Sequence, residues 1–222
     1  MTEDNNIRTF VFLKPDCTIR RAVSAKVLKS FLENNFKITA FKEIKVNEQL
    51  AKIHYKEHEG KPFYSWLCKM LQLYPVVAMV IEDSPQKIRE FIGETFCHKA
   101  DENTLRGKYG IWGGVNSIHA SDSHETAQRE LEIWEKFAGL TTNKNIAQIE
   151  INNYIRKWDG EVLTNLKEVR KICNQIKSNP ENTKFLKDKL RELLWHDCNK
   201  DKNINEKLFD QFLDIIIENC LL

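Results

Sequence analysis

Glycine and proline are spread unevenly along this chain, and that asymmetry limits its fold more than any other feature. Seven of the eight glycines lie before residue 140, and only Gly160 follows. Four of the five prolines, at 15, 62, 75 and 85, are also early, leaving Pro180 alone in the remainder. These residues punctuate turns and interrupt regular elements. The first part therefore predicts a turn-rich mixed α/β domain, and the later part a run of long helices. The polar stretch 139–145 is the expected linker, dividing the chain into residues 1–140 and 141–222. A chain of 222 residues can bury a substantial core in either arrangement.

The apolar patterns fill in the first part. Arg8 to Leu13 is a β-prone run stopped by Pro15-Asp16, and Val76 to Ile81 is continuously apolar, as in a central strand. Phe36 to Val46 alternates loosely, and Asn116 to His119 makes a last short strand. Helical spacing marks Ala22 to Phe36, the segment after Pro62, Gln86 to Ile92, and Glu125 to Phe137. The order β-α-β-α-β-α-β predicts a ferredoxin-like α/β sandwich with a four-stranded, mostly antiparallel sheet.

The later part predicts an all-α bundle with a core of its own. Residues 146–158 place Ile146, Ile149, Tyr154, Ile155 and Trp158 roughly on one side. Val162 to Ile176 keeps the 3–4 spacing closely. Asn179-Pro180 reads as a cap with Pro at the first helical position, and Asn203 to Glu206 as a capping box before Leu208 to Ile216.

Composition removes several functional classes. Thirty-four basic against thirty-two acidic residues leave +2, which gives no broad footprint for nucleic acid or an anionic membrane. No apolar run reaches the ~18 residues of a bilayer span. The polar start, Met1 to Asn6, reads as a frayed end rather than a secretory leader. Six irregularly spaced cysteines without a CxxC pair support neither a disulfide scaffold nor a structural zinc site, so a reducing, cytoplasmic setting is expected. His54 and His58 stand four apart, but HYKEH is not HExxH, and zinc has little support there.

Chemistry concentrates at Asn116 to Ser123, where His119 ends a predicted strand before small polar residues and a helix. A Ser-His-Asp relay is excluded, because His119, Ser121 and Asp122 are too close along the chain and no GxSxG elbow exists. Glu130, on the following helix, can face back toward the strand end. A carboxylate on one imidazole nitrogen fixes the tautomer and frees the other to attack. A phosphoryl acceptor needs cations, and Lys14, Arg89 and Arg106 are the candidates. No GxxxxGK[ST] is present, so a Walker-type loop is ruled out.

With these residues in view, the chain from about residue 8 to 134 resembles the nucleoside diphosphate kinase family. The resemblance rests on Arg8 to Asp16, His54-Tyr55 leading to Lys61-Pro-Phe63-Tyr64, Pro75 to Val80, Gly93-Glu-Thr95, Thr104-Leu-Arg106-Gly107, and Asn116 to Ser123, all in order and register. It implies a ping-pong phosphotransferase in which ATP or another nucleoside triphosphate phosphorylates His119, which then passes the group to a nucleoside diphosphate. By similarity Lys14, Arg89, Thr95 and Arg106 hold phosphates, Tyr55 sits beside Lys14, Phe63 stacks on the base, and Asn116 contacts the sugar. Glu130 with Ser121 orients the imidazole. Mg²⁺ arrives on the nucleotide, with Asp122 at most in its outer shell and no protein-held metal. A homo-oligomer is implied as well.

The chain departs from the family pattern at several places. Cys17 stands where Gly is usual, Ala120 replaces the Gly after the histidine, and Gly113-Gly114-Val115 replaces an aliphatic residue, Gly and Arg. Trp112 is the expected substitute for the missing aliphatic wall against the base. Residues 96–103 lack the family's prolines. These departures leave an alternative: a weakened nucleotide-binding or scaffold module. Residues 141–222 carry no chemistry-bearing motif, so they are expected to serve assembly or a protein partner and to be dispensable for transfer.

Overall fold

The computed structural model describes residues 7–222, and the reading of Met1 to Asn6 as a frayed end lies outside the described residues. The chain begins with strand β1 (Thr9–Leu13), a one-turn helix α1 (Pro15–Thr18) and helix α2 (Arg21–Glu33). Strand β2 (Ile38–Ile44) follows, then α3 (Glu48–His54), α4 (Tyr64–Leu73) and strand β3 (Val76–Ile81). Helices α5 (Pro85–Ile92) and α6 (Leu105–Tyr109) precede strand β4 (Ile118–Ala120) and helix α7 (His124–Ala138). Four longer helices complete it: α8 (Lys144–Trp158), α9 (Leu166–Ser178), α10 (Thr183–Cys198) and α11 (Glu206–Leu221).

The four strands form one antiparallel sheet in the order β2-β3-β1-β4, the ferredoxin-like arrangement. β1 and β3 are wholly buried, which explains why both read as unbroken apolar runs. Strand alternation sorts their side chains into two layers. Phe10, Phe12, Ala78 and Val80 face a core shared with Leu50, Leu131 and Trp134. Val11, Leu13, Val77 and Met79 face the opposite core, with Val27, Phe31, Ile88 and Ile118.

Helix α8 lies over this second layer, against β2 and α2. Its buried face is Ala147, Ile151 and Tyr154, whereas Ile146 and Ile149 are exposed. The expected side of α8 holds only in part: Tyr154 is buried, 5.8 Å from the Phe41 ring of β2, with Ile155 and Trp158 packed on the same core, but Ala147 and Ile151 take the inward places expected of Ile146 and Ile149. The stretch expected to be a linker is also fixed. Leu140 is buried, and the Asn143 amide donates to the Thr39 carbonyl at 2.8 Å while its side chain caps α8.

The last three helices do not keep a core to themselves, contrary to the expectation of a self-contained bundle. Val169, Ile172, Leu190, Phe209, Phe212 and Ile216 pack in one cluster with Ile19, Trp66, Met70, Tyr74, Ile111, Trp112 and Val115 of the first part. Polar contacts reinforce the junction. The buried Arg21 guanidinium bonds Asp201, Glu43 and the hydroxyls of Tyr74 and Tyr154. Two expected caps differ in detail. Asn179 makes no side-chain cap, because a 3-10 turn at Pro180–Asn182 intervenes, and Asn205, rather than Asn203, caps α11 through the Leu208 amide.

Candidate active site

His119 owes its position to strand register. It pairs with Phe12 across β1 and β4, so alternation turns it to the layer that α7 covers, while Ile118 and Ala120 turn away. Its ring stacks on Phe12 at 4.7 Å. Ser123 caps α7 through the Thr126 amide, and the helix brings Glu130, buried, to the imidazole. Nε2 of His119 lies 3.1 and 3.0 Å from the two Glu130 oxygens, and Ser121 Oγ donates to Glu130 Oε2 at 2.6 Å.

Burial works to raise the Glu130 carboxyl, but the charge and hydrogen bond of His119, with help from His54 and Ser121, hold it at about 2. An ionised carboxylate can only accept, so Nε2 carries a proton, and in the neutral imidazole Nδ1 is then the nitrogen with a free lone pair. The side chain of His119 keeps 22% of its surface exposed, enough for a reactant to approach.

The cations gather around the same strand end. Lys14 follows β1, is buried, and donates to the Gly114 carbonyl at 2.8 Å and to Asn116 Oδ1 at 3.0 Å. Asn116 in turn donates to the Thr95 carbonyl at 2.7 Å, and the Thr95 side chain is exposed. Arg106, on α6, holds the carbonyls of Ile118 and Gly93 at 2.8 and 2.9 Å. Burial and the neighbouring Arg89 pull its guanidinium down to about 10. Arg89 reaches toward the Ala120 carbonyl at 3.4 Å and lines a surface cleft of about 650 Å³ with Thr104 and Asp122. Tyr55 has a buried ring 4.6 Å from that of His54, and Phe63 is exposed beside His58 at 5.7 Å. Neither Tyr55 nor Phe63 bonds the His119–Glu130 pair.

The Lys14 charge has a measurable consequence. Burial pulls its ammonium down to about 8 from the ordinary 10.5. Below pH 8 it is protonated in the folded and unfolded chains alike, and its burial costs the fold on the order of 3 kcal/mol. Between about 8 and 10.5 the folded chain releases the proton while the unfolded chain keeps it, so stability rises across that window. Denaturation of the nucleotide-free protein at pH 7 and 9.5 should show wild type gaining about 2 kcal/mol relative to Lys14→Gln. Parallel changes in the two proteins would mean that Lys14 does not titrate low.

Some residues of the site were not legible in the sequence. His54 is fully buried at the end of α3, where the Trp134 indole donates to its Nδ1 at 3.4 Å. Burial pulls it down to about 3, so it is neutral. His58 lies beyond it in a 3-10 turn, so the two histidines do not share a helix. Ser117 has φ +71°, strained for a non-glycine residue two positions before His119, and its amide donates to Asp16 at 2.9 Å. The departures from the family pattern prove benign where the backbone is concerned. Cys17 is helical and Ala120 is in a paired strand, so neither requires a left-handed residue. Trp112 does not stand as a wall for a base. It stacks on His98 at 4.2 Å and packs with the last helices, because their apolar faces claim it.

Among the described residues, one group of three metal-type side chains occurs: His54, His119 and Glu130. His119 and Glu130 are bonded to each other, and the imidazole nitrogens of the group do not suit Mg²⁺, which prefers oxygen and retained water. Asp122, Asp101 and Glu94, exposed carboxylates on the Arg89 cleft, fit outer contacts to a hydrated Mg²⁺ carried by phosphates.

A buried carboxylate that primes one imidazole nitrogen, beside cations that can neutralise phosphate oxygens, belongs to a phosphotransferase. Comparison with known proteins makes the assignment narrower. The sequence model of the family "Nucleoside diphosphate kinase" matches residues 7–138, more than half of the chain, and the chain belongs to that family. The nucleoside diphosphate kinase of Methanosphaera stadtmanae is 43% identical over 129 residues, covering 57% of this chain and 84% of the relative. That of Synechocystis is 40% identical over 131 residues, 58% and 87% of the two chains. The crystal structure of the Aquifex aeolicus enzyme aligns with TM-score 0.56 at 33% identity, over 61% of this chain and 99% of that one. The Halobacterium salinarum enzyme, solved in complex with CDP, gives 0.58 at 31%, over 66% and 99%. The protein is thus an enzyme of the nucleoside diphosphate kinase type. Described residues contain no helix long and apolar enough to cross a membrane.

Proposed function

We propose that the enzyme moves the γ-phosphoryl group of a nucleoside triphosphate to a nucleoside diphosphate in two half-reactions through phosphorylated His119. The contact of His119 Nε2 with Glu130 carries this reading, since it leaves Nδ1 as the nucleophile. The Nδ1 lone pair forms the N–P bond as the P–O bond to the departing diphosphate breaks. The imidazole becomes cationic and Glu130 neutralises it. The incoming diphosphate then reverses both steps. Lys14, Arg89 and Arg106 stabilise the oxygens of the transferred group, Thr95 adds a hydroxyl, and Asn116 meets the sugar. Tyr55 completes the wall beside Lys14, and Ser121 holds Glu130. Mg²⁺, when it arrives on the nucleotide, neutralises phosphate charge. Residues 1–140 supply the reacting and phosphate-holding side chains in this reading, on a fold completed by the later helices.

A catalytically weakened nucleotide-binding or scaffold module is not favoured, because His119, Glu130 and Ser121 stand in bonding contact and the cations are assembled. Six unpaired cysteines support a reducing, cytoplasmic setting. Self-association, inferred from the family, has the exposed Ile146 and Ile149 to draw on, as would a protein partner of residues 141–222. The mass in solution tests the former.

Incubation with γ-labelled ATP and Mg²⁺ should leave an acid-labile, base-stable label on the protein. A chase with a different nucleoside diphosphate should remove it. Absence of label in the intact protein would overturn the reading.

With Trp112 committed elsewhere, Phe63 is the aromatic face offered to a base. Phe63→Ala should weaken nucleotide binding by about 1–3 kcal/mol, as for loss of one stacked base, for purines and pyrimidines alike. Titration calorimetry with ADP and CDP reads this directly, and an unchanged Kd removes the stacking role.

A further inference from the structure

Two side chains of the late helices reach the backbone that carries the phosphate cations. Arg170, half-buried on α9, donates through Nη2 to the carbonyls of Gly110 at 2.6 Å and Gly107 at 2.8 Å. Longer contacts of 3.4 Å run to the carbonyls of Arg106 and Ile111. The Gly107 and Gly110 carbonyls lie at the C-terminal end of α6, where a helix leaves such groups without intrahelical partners, and a cation there also suits the helix dipole. Helix α6 has only five residues, too few to be stable alone, and it carries Arg106. One guanidinium from outside the family match therefore clamps the C-terminal end of the helix that aims another guanidinium at the strand of His119.

Asn219, half-buried on α11, acts on the other cation. Its Oδ1 accepts from the Gly114 amide at 3.0 Å, and the Gly114 carbonyl accepts from Lys14 Nζ. The two glycines bring no side chain of their own; His98 Nδ1 accepts from the Gly113 amide at 3.2 Å, and Asn219 is the side chain that holds the Gly114 amide. Gly113 has φ +52°, and a Cβ at that position would lie 2.5 Å from Asn219 Oδ1. The Gly113-Gly114 sequence thus admits the close approach of α11, which the Trp66 indole fixes by donating to the Ile215 carbonyl at 3.0 Å.

We propose that Arg170 and Asn219 are positioning residues for phosphoryl transfer, Arg170 through α6 and Arg106, Asn219 through Gly114 and Lys14. The proposal rests on the phosphohistidine reading above. Neither residue meets the nucleotide. Each fixes a cation to the geometry of the transferred group, where a displacement of about 1 Å can cost a hundredfold in rate.

The test uses the full-length chain and follows labelling of His119 in a single turnover. Arg170→Ala and Asn219→Ala should each slow labelling by about ten- to a hundredfold at saturating ATP, with the Kd for ADP changing less than threefold. Arg170→Lys, which keeps a cation for the same carbonyls, and Asn219→Asp, which keeps an acceptor for Gly114, should recover most of the rate. Leu190→Ala, in the shared core but remote from these contacts, controls for stability: it should lower Tm while leaving labelling at 25 °C within twofold. Labelling within twofold of wild type in both alanine variants overturns the proposal while the reaction itself stands. So does an equal loss in Leu190→Ala, or no recovery in the conservative variants. If wild type takes no label, the phosphohistidine reading falls, and this proposal with it.

Discussion

A chain ending after Thr142 should aggregate and transfer no phosphate, although every side chain of the proposed reaction lies before that point. Removing the last helices uncovers Ile19, Trp66, Met70, Tyr74, Ile111, Trp112 and Val115 together. At about 1.5–3 kcal/mol for each large side chain fully buried, even partial exposure removes on the order of 10 kcal/mol. That equals the whole stability of an ordinary domain, about 5–15 kcal/mol. Expression of residues 1–142, followed by size-exclusion chromatography and a transfer assay, checks the outcome. A monodisperse fragment with turnover within a few-fold of the full chain would restore the simpler expectation of a dispensable helical domain.

His119→Ala should abolish covalent labelling by ATP and leave ADP binding intact. Among the described residues the substitution removes the one accessible imidazole beside Glu130, since His54 is buried and is held by Trp134. It also leaves the Glu130 carboxylate without its main partner. The variant should therefore lose stability as well, by about 1–3 kcal/mol, as when a buried acceptor loses its donor. Label persisting on the variant would move the nucleophile elsewhere.

Much of the catalytic sheet was legible because its signals are local. β1 and β3 are runs of aromatic and β-branched residues closed by Pro15 and by Ser84-Pro85, and the expected bounds agree with the strands to within a residue. His119 and Glu130 could be paired because a strand end, a capped helix start and a spacing of eleven residues together fix their approach. What escaped was long-range. Helical periodicity states which residues share a face, not what that face meets, so Ile146 and Ile149 were assigned to the core while the sheet selected Ala147 and Ile151. The burial of His54 escaped because nothing near it in the sequence announces Trp134, eighty positions later. Gly113 read as a missing wall, when the feature it accommodates is Asn219 on the last helix.

The shared core also sets a schedule for making the protein. Synthesis finishes the sheet and α7 by residue 138, but α11, which lays Phe209, Phe212 and Ile216 over Trp66 and Ile111, comes last. At about 5–20 residues per second, that apolar face waits several seconds for its cover. Throughout the wait the site residues are already made, yet the apolar face that α11 covers stays open to solvent. Completion of the core thus waits on α11, and a product of interrupted translation is expected to emerge with that face uncovered rather than as a smaller kinase.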